Sequence, residues 1–113
     1  MTEPTQQVPE ISVQEAAARG EQVLLLDVRE DHEWEAGHAA TAQHLPLSRL
    51  VLAAVPTDRP VVAVCRSGSR SGQAAVLLAA AGVDVANMTG GMIAWHAAGL
   101  PVVDGHGQPG QVA

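Results

Sequence analysis

Two short, unbroken apolar runs constrain this chain more than any other feature. Residues 23–27 (VLLLD) and 61–64 (VVAV) are short for helices, and neither alternates apolar with polar positions. Runs of this kind read as strands buried on both faces, which is the environment of a parallel sheet. Residues 84–88 (DVANM) supply a third strand, and residues 44–47 (HLPL) a weak one that ends at a proline.

Helical signals fall between the strands. Ser12 and Glu15 form a capping-box pattern ahead of an Ala-rich helix that Gly20 ends. Residues 30–36 suit a short polar helix closed by Gly37, and Ser48 is placed to cap a helix through about Ala54. Pro56 and Pro60 bracket a turn. Residues 73–81 form an Ala/Leu helix with Gly82 at its C-terminal end. Gly90-Gly91 turns into a last helix ended by Gly99, and residues 100–103 are extended. This alternation predicts an α/β fold: a central parallel sheet with helices on both faces. The expected organisation is one domain over residues 11–103, between a flexible leader (1–10) and a flexible Gly/Pro/Gln tail (104–113).

The core has to be built from small side chains. Alanine supplies 20 of the 53 hydrophobic residues, Phe and Tyr are absent, and Trp34 and Trp95 are expected core anchors. Small residues let helices approach a sheet closely, but each buries little area, so tight packing has to carry stability.

The formal net charge is −6, and all six basic residues are arginine. An acidic chain without a basic patch is a poor match for nucleic acid or an anionic membrane. No segment approaches 18 consecutive apolar residues, and residues 1–10 lack the features of a secretory signal. The expectation is a cytoplasmic monomer.

Against the global sign, two arginines lie within six residues of the only cysteine, Cys65. A single cysteine excludes an intramolecular disulfide and a thiolate-rich zinc site. Cys65 is then a packed small side chain, a reactive thiol or an intermolecular cross-link. Its position favours chemistry: it follows the strand VVAV directly, and ligands bind at the carboxyl ends of strands in open α/β sheets. The following residues, Arg66, Ser67, Gly68, Ser69, Arg70 and Ser71, are small or cationic. Such a loop can curl into a nest of backbone N–H groups ahead of a helix N-terminus, which favours a thiolate and an anionic substrate. Four residues separate Cys65 from Arg70, one fewer than in the Cys-to-Arg loop of the protein tyrosine phosphatases. The shorter loop suits a lone sulfur atom better than a phosphoryl group.

At this point the chain resembles the rhodanese family of sulfurtransferases. The matching pieces are Asp27-Val28-Arg29-Glu30, then Glu33-Trp34-Glu35-Ala36-Gly37-His38 with His44-Leu45-Pro46-Leu47, the loop at residues 65–71, and Gly90–Trp95 with Gly99–Val102. They run in the family's order across residues 27–102. The resemblance implies a three-layer fold around a parallel sheet of about five strands. It also implies that Cys65 takes the outer sulfur of thiosulfate or another persulfide donor and passes it from a persulfide to cyanide or a thiol, possibly one on a protein. Residues Arg66, Ser67, Gly68, Ser69 and Arg70 would bind the donor, and no cofactor or metal is implied. The usual Pro-Gly turn between His38 and His44 is replaced by Ala39-Ala40-Thr41-Ala42-Gln43. The competing readings are a non-catalytic rhodanese-like binding module and, less favoured, a small cysteine phosphatase or arsenate reductase.

Asp27 and Arg29 are expected to support the site as an ion pair or hydrogen-bond network. Glu33 is four positions beyond Arg29 and is a candidate partner for it, and Ser71 is the candidate cap of the following helix. Glu30, Asp31 and Glu35 read as a solvated face, and His38 and His44 as hydrogen-bonded structural residues.

Overall fold

The computed structural model describes residues 8–113. Five strands form one sheet: β1 (Glu10–Ile11), β2 (Leu24–Asp27), β3 (Gln43–His44), β4 (Val61–Val64) and β5 (Val85–Met88). Their order is β1-β5-β4-β2-β3 and every pairing is parallel. The two apolar runs become β2 and β4, side by side at the centre, with all four residues of each buried.

Helices α1 (Val13–Arg19), α2 (Asp31–Ala36), α3 (Ser69–Ala80) and α4 (Gly91–Ala97) complete the fold. Strand alternation splits the core into two layers. Leu25, Val62, Val64 and Met88 pack with Val13 and Ala16 of α1 and Met92 and Trp95 of α4. Leu24, Leu26, Val61 and Ala63 pack on the other face with Ala74, Ala75 and Leu78 of α3. Ala74 and Ala75 are fully buried, so alanine at these positions lets α3 lie close against the sheet. Among the described residues, no helix is long and apolar enough to cross a membrane.

The structure corrects several expectations. Glu10, assigned to a leader, pairs with Asn87 as part of β1, while residues 1–7 of that leader lie outside the described residues. The tail does not hang free. Asp104 Oδ1 accepts from the N–H groups of His106 and Gln108, and this turn brings the chain back so that Gly110 N–H donates to Val102 and Gln111 N–H to Ala36. The helix expected from Ser48 is two single 3-10 turns, Leu47–Arg49 and Leu52–Ala54, with extended backbone at Leu50 and Val51. So short a segment cannot offset helix nucleation without a buried stripe, and Val51 and Leu52 are exposed. Trp34 is only half-buried. It stacks on His38 (centroids 3.6 Å apart) and His44 (4.8 Å), whereas Trp95 is a core anchor as expected.

Candidate active site

Cys65 directly follows β4, the middle strand, and is 1% exposed. Helix α3 begins at Ser69, four residues earlier than the sequence suggests, so the loop proper is only Arg66, Ser67 and Gly68. The tight turn requires Gly68, whose φ of 107° is a left-handed conformation that other residues rarely adopt.

The loop curls around the sulfur. Gly68 N–H donates to Cys65 Sγ at 3.0 Å and Ser71 Oγ donates at 3.2 Å. Helix α4 holds the loop from behind: Met92 N–H donates to the Cys65 carbonyl and Ile93 N–H to that of Arg66. These carbonyls are drawn toward α4, which leaves the loop's N–H groups free to face the sulfur. Gly91 permits this approach, since a Cβ there would lie 2.6 Å from both the carbonyl carbon and oxygen of Arg66. Burial disfavours the thiolate. Hydrogen bonds from Ser71 Oγ and from the N–H groups of Ser71, Gly68 and Ser67 outweigh it, so the thiol pKa falls below its ordinary value.

Ser71 therefore does not cap α3. It is fully buried in the first turn, beneath the sulfur, because the helix starts early. Its Oγ also lies 2.6 Å from Asn87 Oδ1. The Nδ2 of Asn87 donates to the Gly68 carbonyl at 3.0 Å, which fixes the amide so that Oδ1 faces Ser71. Ser71 has one proton for two acceptors, sulfur and amide oxygen. Asn87 escaped the sequence reading, although a polar residue inside an apolar strand was a usable signal.

The two arginines are both engaged. Arg66 is exposed, and its Nε donates to the main-chain oxygen of Ala113 at 2.8 Å. Arg70 is half-buried, and its two terminal nitrogens each donate to one oxygen of Glu33 at 2.7 Å. Glu33 is thus not the partner of Arg29. Helix α2 begins only at Asp31, so Arg29 is not on it, and Arg29 is committed elsewhere. The Arg70 hydrogen bonds, assisted by Glu30 N–H, outweigh burial and hold the Glu33 carboxyl down at about 2. The same ion pair raises the pKa of Arg70. Ser67 and Ser69 are exposed at the loop rim.

Asp27 and Arg29 form a fully buried pair. Arg29 Nε and Nη2 donate to the Asp27 carboxylate at 2.9 and 2.8 Å, and Nη2 reaches the Gly37 carbonyl at 2.7 Å. The pair ties the end of β2 to the end of α2, the helix that carries Glu33. His44 Nε2 donates to the Arg29 carbonyl and His38 Nδ1 to that of Trp34, each at 2.7 Å. Of the acidic residues read as a solvated face, Glu30 accepts from Ser48 Oγ and Asp31 pairs with Arg49.

Fold and site together define an open parallel α/β domain with one buried cysteine, surrounded by hydrogen-bond donors, at the carboxyl end of its central strand. The chain belongs to the Rhodanese-like domain family, whose sequence profile matches residues 12–98. It is 41% identical over 95 residues to a sulfurtransferase of Allochromatium vinosum, covering 81% of this chain and 89% of the relative. It is 31% identical over 96 residues to the thiosulfate sulfurtransferase GlpE of Vibrio cholerae, covering 82% and 91%. Other relatives are longer, and the chain spans about half (47%) of one of them. Among solved structures, a rhodanese-related protein of Thermoplasma volcanium superposes with a TM-score of 0.80 at 28% identity, covering 84% of this chain and 97% of that one.

Proposed function

We propose that this protein is a sulfurtransferase that carries a sulfane sulfur as a persulfide on Cys65. The observation that carries this reading is the cradle itself: Sγ accepts from Gly68 N–H and Ser71 Oγ–H at the end of the central strand. Donors in this arrangement favour a thiolate and then the persulfide anion that replaces it. The Cys65-to-Arg70 segment is one residue shorter than the corresponding loop of the tyrosine phosphatases, which suits a single added sulfur atom better than a phosphoryl group.

In the first half-reaction the Cys65 thiolate attacks the outer sulfur of thiosulfate or of a persulfide. The S–S bond of the donor breaks, and sulfite or a thiolate leaves with the bonding pair. In the second, cyanide or a thiol removes the sulfur, so the kinetics are ping-pong. Loop residues Arg66, Ser67, Gly68, Ser69 and Arg70 receive the donor, while Asp27, Arg29 and Ser71 hold the frame. No cofactor enters these steps. We assign the protein to the cytoplasm as a monomer, where reduced thiols are available as acceptors.

Intact mass after mixing with thiosulfate or a small persulfide tests the reading. The expected result is a gain of one sulfur, about 32 Da, that cyanide or a reductant removes and that Cys65→Ser lacks. No gain from either donor would overturn it.

A further inference from the structure

The mechanism above places Arg70 among the residues that receive an anionic donor, yet the structure gives that cation a carboxylate of its own. We propose that Glu33 is a specificity-determining residue: by neutralising Arg70 it makes Cys65 favour a sulfane sulfur carried on a thiol over inorganic thiosulfate. This inference rests on the persulfide reading of Cys65.

The Glu33–Arg70 contact is not a casual surface pair. Both Arg70 terminal nitrogens are engaged at 2.7 Å, and the Glu33 side chain is only 9% exposed. Glu33 is fixed from its other side as well, because Glu30 N–H donates to Oε1 at 3.0 Å in the capping box of α2. Glu30 adds a second negative charge within range of Arg70. With its carboxyl held at about 2, Glu33 is ionised at neutral pH.

Charge counting then separates the donors. A Cys65 thiolate meeting thiosulfate assembles three negative charges. Arg66 and Arg70 would offset two of them if both were free, but Glu33 cancels the charge of Arg70, and Glu30 lowers the remaining positive charge further. A Cys65 thiolate meeting a monoanionic persulfide, R–S–S⁻, assembles only two. The thiolate attacks the outer sulfur, the bond to R–S breaks, and R–S⁻ leaves with the bonding pair and takes a proton from water. The product is Cys65–S–S⁻, and no oxidant or reductant is needed. The penalty for the extra charge falls on thiosulfate alone, and it is an electrostatic term that salt screens.

The test is the rate of single-turnover persulfide loading on Cys65, read by intact mass, with thiosulfate and with 2-hydroxyethyl persulfide as donors. Glu33→Gln keeps the shape and removes the charge. It is expected to raise the thiosulfate-to-persulfide rate ratio about fivefold at low salt, the effect of one unit charge about 4 Å away at the dielectric constant of water. High salt should shrink that gain. Glu33→Asp retains the charge and is expected to leave the ratio near its wild-type value, which a merely packing role would not predict. A persulfidated protein as third donor identifies the carrier: loading from it as well admits protein thiols, and loading from the small donor alone restricts the class to small thiols. An unchanged ratio in Glu33→Gln, with both donors still loading Cys65, would overturn the inference and leave the sulfurtransferase reading intact. Failure of every donor to load the wild-type protein would instead remove the reading beneath it.

Discussion

Gly91→Ala probes the contact between α4 and the cysteine loop, and its cost can be worked from the geometry. Gly91 has a φ of 57°, a left-handed conformation that costs a side-chain-bearing residue about 1–2 kcal/mol. The new methyl would lie 2.6 Å from the Arg66 carbonyl carbon and oxygen and press on the Cys65 carbonyl as well. These are backbone atoms, which cannot swing aside, and overpacking of this kind costs about 1–3 kcal/mol. The sum is about 2–5 kcal/mol, close to 8–20 °C in Tm at about 4 °C per kcal/mol for a domain of this size. Gly82→Ala supplies the control. Its φ is 89°, with no atom within 4 Å of the added methyl, so only the conformational cost of about 1–2 kcal/mol remains. Urea denaturation of both variants separates the two contributions. The functional readout is separate: displacing the Arg66 carbonyl rotates the peptide whose Ser67 N–H is directed at Sγ. Gly91→Ala should therefore load persulfide slowly while Gly82→Ala loads normally. Equal destabilisation of the two variants, or normal loading in Gly91→Ala, would refute the argument.

Three further predictions rest on buried polar groups. Arg29→Ala leaves the Asp27 carboxylate buried without its partner and should cost about 3–5 kcal/mol in urea unfolding, whereas the double variant Asp27→Asn with Arg29→Met should lose less. Ser71→Ala removes a donor to Sγ, so the Cys65 pKa should rise, seen as an upward displacement of the pH profile of iodoacetamide alkylation. Asn87→Leu should move that profile the other way by freeing the Ser71 proton for sulfur, and the movement should vanish in a Ser71→Ala background; an equal effect in both backgrounds would show that Asn87 acts only through the loop backbone.

The elements and the position of Cys65 were legible because their signals are local. The run VVAV, the capping box at Ser12 and the chemistry of a cysteine at a strand end each need only a few neighbouring residues to be read. Boundaries were less legible where one glycine decides: with Gly68 in a left-handed conformation, α3 starts at Ser69, and this moves Ser71 from a cap to a position beneath the sulfur. The tail was misread because its composition suggests freedom, while its hydrogen bonds from Gly105 to Glu35 and from Gln111 to Ala36 depend on a helix far away in the sequence.

By itself, the sequence determined the layered α/β class, the two central strands and the placement of Cys65 at a strand end, since these follow from the period of the apolar pattern and from residue types in short windows. Only the tertiary structure decided which partners the polar groups take. Glu33 lies 37 residues from Arg70, Asn87 lies 16 from Ser71, and Glu10 lies 77 from Asn87, so no local pattern encodes these contacts. They form because parallel pairing brings the carboxyl ends of the strands together with the start of α3. Polar side chains enclosed there must satisfy one another.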